Sequence, residues 1–246
     1  VGTVELARAC EQVHPGASYL HAGRSWRVVE LDLEGRSALV EPDDGATSTI
    51  ARTEVAIDVT GCDETRAVGR VEVGLGSVQV HQQVTGYQRR DALNGASLGV
   101  VALDLPPSTL DTRAFWYRVP DDVLDAAGGR HPAGPGALHA AEHAGIGVLP
   151  LFAICDRWDV GGVSTLHQPD LAGAAIVIYD GYQGGAGVAE LGYEAAERHL
   201  RATAEVIAAC PCQDGCPSCV QSPKCGNGNE PLDKAGALAL LRAIGA

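Results

Sequence analysis

The 246-residue sequence has no methionine, and aromatic residues make up only 4 % of it. A core built around stacked rings is therefore excluded. With hydrophobic residues at 46 %, the interior has to be packed from Val, Leu, Ile and Ala. Lysine is nearly absent: of 18 basic residues only Lys224 and Lys234 are lysines, and 31 acidic residues leave a net charge of −13. That balance disfavours a broad nucleic-acid surface, because phosphate neutralisation drives such affinity. A narrow arginine-based patch remains open. No stretch reaches the 18 or more apolar residues of a membrane helix. The opening VGTVELARACEQVH lacks the basic start, apolar run and cleavage site of a signal peptide. A chain that opens on Val1 and never uses Met reads as a piece of a longer protein, cytoplasmic and without a membrane partner.

The length suits one large domain or two small ones. Residues 3–13 suit a short helix ended by His14-Pro15-Gly16. Apolar and polar residues then alternate through Trp26 and Val28, Val55 to Val59, and Val71 to Leu75, which is the period of half-buried strands. Turn signals stand at Glu34-Gly35, Pro42 to Gly45 and Gly74 to Ser77. Leu110–Val119 reads as a further strand. Residues 17–119 thus read as a small antiparallel, barrel-like sheet.

Pro120-Asp121-Asp122 opens a helical half. Gly128 to Pro132 should break that helix, and a new one should run over 135–149. Ala174–Tyr179 is a buried strand, 180–187 a glycine-rich loop, 188–208 a long helix, and residues around Leu238 to Ile244 a closing helix capped by Asp233. The expected fold is α+β: a β-rich first half (1–119), then a mixed half (120–246) closed by a four-cysteine zinc site. The two may form one integrated domain with its weakest seam near Val119.

Cys210, Cys212, Cys216 and Cys219 have the spacing C-x-C-x3-C-x2-C. Zn²⁺ takes four thiolates at about 2.3 Å in a tetrahedron, and such a closed site serves folding rather than catalysis. Disulfides need an oxidising compartment and would close very small rings here. One structural zinc per chain is the expectation. Four thiolates around Zn²⁺ leave a formal charge of −2, so backbone N–H groups and Lys224 should face the sulfurs. Cys225 is a fifth candidate that could replace Cys210, while Cys10, Cys62 and Cys155 read as core thiols.

Two other patterns carry chemistry. His139-Ala-Ala-Glu142-His143 matches the H-x-x-E-H of inverted zinc peptidases, with Glu190, Glu194 or Glu197 as third ligand. The common alternative is an Ala-rich helix with locally bonded histidines. The loop with Gly184 and Gly185 lies between a strand and a helix, a context that can cradle a phosphate or merely make a tight turn. Arg157 and Trp158 could meet a phosphate and a base, or sit in a salt-bridged turn. Trp116 and the Arg89-Arg90 pair near a hairpin tip are further DNA-binding candidates, although a core position suits Trp116 and a solvated face suits the arginines.

The run CPCQDGCPSCVQSPKCGNGNEPLDKAGALALL resembles the C-terminal zinc-binding module of superfamily 2 DNA helicases of the mitomycin repair factor A (MrfA)/SftH type. The resemblance extends through DGYQGGAGVAELGYE, CDRWDVGGVSTLH and HPGASYLHAGRSWRVVELDLEGRSALVEP. It implies that Cys210, Cys212, Cys216 and Cys219 are the zinc ligands. It also implies a parent enzyme that hydrolyses ATP with Mg²⁺ in RecA-like motor domains and moves 3′ to 5′ along single-stranded DNA in repair. These 246 residues contain neither a Walker A lysine loop nor a D-E-x-H box, so this piece should hold DNA and couple to the motors rather than hydrolyse ATP itself. A zinc peptidase using His139, Glu142 and His143, or a protein-interaction zinc module, are the alternative classes.

Overall fold

A computed structural model of the protein describes residues 1–125, 128–129 and 134–245. The chain divides into two units: one takes Val1–Glu54 and Gln82–Ser108, the other Val55–His81 and Thr109–Ala246. Val119 lies inside the second unit. The strands form two sheets, one of three strands and one of six, with antiparallel pairing.

In the first unit, the expected N-terminal helix is a 3-10 turn, Leu6–Arg8, followed by α1, Ala9–Gln12. Both end ahead of His14-Pro15-Gly16, as the breaker residues require. Strands β1 (Ser18–His21), β2 (Arg24–Asp32) and β3 (Ser37–Pro42) form a three-stranded meander. Ala9, Val13, Ala17 and Val28 are its buried core. The β2–β3 turn is held by the Gly35 N–H donating to Asp32 at 2.8 Å.

Two long strands, β4 (Thr47–Val68) and β5 (Val71–Asp91), contribute to both units, and β6 (Ser97–Ala102) pairs with the end of β5. The break expected at Gly74 to Ser77 is absent, because β5 runs straight through it. Both glycines answer a close approach instead of a turn. A Cβ on Gly74 would fall 2.3 Å from the Trp116 ring, and one on Gly76 would fall 1.9 Å from the Gly61 carbonyl.

The sheet of the second unit continues through β7 (Ser108–Val119), β9 (Gly173–Asp180) and β8 (Val160–Gln168), so that β9 lies between β7 and β8. Strand β9 is buried almost throughout, as its run of Ala, Ile and Val requires. Strand β8 has no counterpart in the sequence reading, which treats the start of this stretch as a turn.

Helix α2 (Asp121–Asp125) opens on its two aspartates and closes at Gly128 and Gly129, whose φ values of +94° and +70° suit glycine. Arg130, His131 and Pro132 lie outside the described residues. Helix α3 (Gly134–Val148) is buried on nearly every side and packs against β8, β9 and two later helices, α5 (Ala196–Ala209) and α6 (Lys234–Ile244). The long helix expected over 188–208 is split at Ala195 into α4 (Val188–Glu194) and α5. Asp233 caps α6, accepting from the Gly236 N–H at 2.8 Å. Cys62 is exposed, contrary to the core position expected for it.

Candidate metal centre and nucleic-acid patch

Helix α5 ends where Cys210 turns extended (φ −74°, ψ 124°), immediately before Pro211. The chain then folds back on itself. Gly215 sits at φ +107°, and the Cys216 carbonyl accepts from the N–H groups of Cys219, Val220 and Gln221 at 3.0, 3.2 and 3.1 Å. This knuckle brings four sulfurs together. Sγ–Sγ separations are 3.6 Å for Cys210–Cys212 and 3.5 Å for Cys210–Cys216. They are 3.5 Å for Cys212–Cys219 and 3.8 Å for Cys216–Cys219. A disulfide needs about 2.05 Å. A tetrahedron of Zn–S bonds of about 2.3 Å has edges of about 3.8 Å. The donor set and its spacing therefore fit a four-thiolate zinc ion.

The cation that faces the cluster is Lys234, not the expected Lys224. Its Nζ donates to the carbonyls of Cys210 (2.7 Å) and Cys212 (2.6 Å) and to Cys212 Sγ (3.3 Å). Lys234 opens α6, so it ties the last turn of α5 to the first turn of α6. Burial alone would push the Cys212 thiol up, but hydrogen bonds from Cys219, Cys210 and Lys234 outweigh it and bring Cys212 down to about 6. Burial carries Cys219 up to about 12. One lysine cannot hold several thiolates side by side, whereas a divalent ion can.

Cys225 is not near this cluster. It meets His139 and His143, which lie one turn apart on α3. Two of the three glutamates expected as their third ligand are engaged elsewhere: Glu190 pairs with Arg113 at 3.0 Å, and Glu197 lies beside Arg201. Glu142 is buried and accepts from the Ser164 hydroxyl at 2.7 Å. Burial raises its carboxyl above the usual range.

The glycine loop supplies its own anion. The fully buried Asp180 carboxylate accepts from the N–H groups of Ala186 (2.5 Å), Val188 (3.2 Å) and Ala189 (2.8 Å). The Gly184 N–H donates to Asp111 and the Gly185 N–H to Tyr182. The donors that a phosphate would use at Gly184 and Gly185 are already taken.

Arg157 and Trp158 lie in the loop before β8. Asp156 and Asp159 brace this loop by accepting from the Trp158 N–H (2.9 Å) and the Asp156 N–H (2.6 Å). Side chain-to-backbone bonds thus shape this turn. Trp158 remains 48 % exposed. Lys224 reaches across with its Nζ donating to the carbonyls of Arg157 (3.1 Å) and Val160 (2.7 Å), and sits 5.2 Å from the Trp158 ring centre. The sequence gives no local signal for this last pairing, since 66 residues separate the two. Trp116 is 1 % exposed and belongs to the core. Arg89 and Arg90 lie along β5, opposite Gly99 and Ser97, and the hairpin tip falls beyond them; Arg90 bonds Gln88.

Residues 141–220 match the MrfA Zn-binding domain. A Methanocaldococcus jannaschii protein, MJ1572.1, is 42 % identical over 113 residues, which cover 44 % of this chain and 98 % of that one. The chain belongs to the MrfA zinc-binding domain family. A longer relative aligns over more of the chain: the uncharacterized ATP-dependent helicase YprA of Bacillus subtilis is 29 % identical over 89 % of this chain and 29 % of its own length. The crystal structure of the DUF1998 helicase MrfA bound to DNA superposes with a TM-score of 0.61 at 26 % identity, covering 98 % of this chain and 31 % of that one. The chain thus spans about a third of the helicases it resembles. No helix among the described residues is long and apolar enough to cross a membrane.

Proposed function

We propose that this chain is the zinc-binding accessory part of an ATP-dependent superfamily 2 DNA helicase acting in DNA repair in the cytoplasm. One Zn²⁺, held by Cys210, Cys212, Cys216 and Cys219, fixes the end of α5 to the start of α6 and serves structure alone. The observation that carries this reading is the convergence of four sulfurs at zinc-tetrahedral spacing, with Lys234 joining both helices to them. ATP and Mg²⁺ belong to RecA-like motor domains of the same parent chain, which travel 3′ to 5′ along single-stranded DNA. This chain holds the strand and transmits motor movement to it.

The strand is held at the loop of Arg157 and Trp158. An exposed indole gives a base a stacking face, and the ammonium of Lys224 beside it is one of few lysines in an acidic protein. Net charge −13 repels phosphate from the remaining surface, so a small basic and aromatic patch gains selectivity. Stacking on an aromatic side chain is worth about 1–3 kcal/mol per base. In the parent helicase, Arg157→Ala with Trp158→Ala should weaken single-stranded DNA binding about tenfold or more. Fluorescence anisotropy would measure it, with zinc content unchanged. Undiminished affinity would remove the strand from this loop.

A further inference from the structure

We infer that His139, His143 and Cys225 form a second divalent-metal site, of the zinc class, separate from the four-cysteine cluster. The ligand atoms of the three residues lie within 4.8 Å of one another. Four residues apart on α3, the two imidazoles share one helix face, with ring centres 4.2 Å apart. Cys225 Sγ lies 3.4 Å from His139 Nε2. Zinc bonds of about 2.3 Å to sulfur and about 2.0 Å to nitrogen give an S–N edge of about 3.5 Å in a tetrahedron.

Backbone carbonyls set the chemistry of the rings. His139 Nδ1 lies 2.8 Å from the Pro231 carbonyl, and His143 Nδ1 lies 2.9 Å from the Val220 carbonyl. A carbonyl only accepts, so both Nδ1 atoms carry their proton. In the neutral imidazole each Nε2 is then left with a lone pair. The sulfur is prepared in a matching way, because the Asn229 N–H donates to Cys225 Sγ at 3.2 Å. Two nitrogen lone pairs and a sulfur thus converge, with at most the one S–H proton to share between them. A cation resolves this arrangement. Metal-bound histidines are held in the same manner, the distal nitrogen donating to a carbonyl.

A set of one thiolate and two imidazoles suits Zn²⁺ and borderline transition metals rather than Mg²⁺ or Ca²⁺. His143 is buried, while His139 and Cys225 are half-buried. The site differs from a peptidase in its third ligand and in Glu142, whose carboxyl is engaged by Ser164. Its ligands also straddle the ends of the stretch that matches the family, since 139 and 225 lie outside residues 141–220.

The test counts metal in the full chain after reconstitution with excess Zn²⁺ and desalting. Two zinc ions per chain are expected in the unaltered protein and one in Cys225→Ser or His143→Asn. Cys216→Ala with Cys219→Ala should lose the other ion, so failure of the four-cysteine reading stays distinguishable. Should the variants misfold, cobalt(II) substitution of the unaltered chain decides: a mixed nitrogen–sulfur spectrum is expected beside an all-sulfur one. A single ion per chain, or an all-sulfur spectrum alone, would overturn the proposal.

Discussion

Two loops of the second unit close around buried charge and resolve it in opposite ways. The loop at the start of α4 brings its own anion: the Asp180 carboxylate fills the ring of N–H groups from Ala186 to Ala189. The loop at the end of α5 brings four sulfurs and borrows a single ammonium from Lys234. The first is complete as folded, and the second is complete only with a metal. A glycine-rich loop between strand and helix therefore need not bind anything, because a side chain six to nine residues back can occupy the cradle.

The largest test breaks the second loop. Cys216→Ala with Cys219→Ala, or a strong chelator, should abolish zinc and unfold the α5–α6 junction. Structural zinc in small modules contributes about 10–16 kcal/mol apparent free energy, so the helical circular-dichroism signal of this unit should lose its cooperative melt. A melt unchanged by metal loss would show that the sulfurs do not hold the end of the fold.

Next comes the first loop. Asp180→Ala strands three N–H donors, of which those of Val188 and Ala189 are buried, at about 1–3 kcal/mol for each buried one, or about 4 kcal/mol in all. The loss should be the same with and without zinc in denaturant melts. A zinc-dependent loss would mean the loops are one system, not two.

Between the loops, on α5, His199 offers a neutral control. Burial pushes its imidazole down to about 4, only partly offset by the Gly145 carbonyl 2.9 Å away. The unfolded chain takes up this proton near 6.5 and the folded chain only near 4. Stability from His199 is therefore present above pH 6.5 and is lost as pH falls toward 4, by about 3 kcal/mol. Comparing His199→Gln with the unaltered chain across that range should remove this slope; an unaltered slope would place the titration elsewhere.

The smallest effect sharpens the contrast. Lys234→Met should lower the melting temperature slightly through the lost bonds to the carbonyls of Cys210 and Cys212. It should also weaken zinc about tenfold in competition titrations, as loss of a ligand's hydrogen-bond partner commonly does. An unchanged zinc affinity would detach the lysine from the cluster.

The sequence made the four cysteines, strand β9 and the Asp233 cap legible, because each rests on short-range chemistry. What it concealed depends on partners distant in the chain. Gly74 and Gly76 look like a turn until Trp116 and Gly61 are placed against them. Strand β8 carries Gly161 and Gly162 just after its first residue, positions where the Tyr179 ring and Glu142 leave no room for a side chain. Local reading takes such glycines for a loop. Cys225 looked like a spare zinc ligand, and its association with α3 appears only when 86 residues of intervening chain are folded. Lys224, expected at the sulfurs, instead reaches Arg157 and Val160 for the same reason.

The position of Lys224 has an optical consequence. Of the three tryptophans, Trp116 is sealed in the core and Trp26 is half-buried, while Trp158 stands exposed under the Lys224 ammonium. That lysine is carried by the segment just past the zinc knuckle. Iodide quenching of Trp158 emission should therefore report the state of the metal loop without any added label. Release of Lys224 would remove the cation that draws iodide to the indole and weaken the quenching, and its return would restore it.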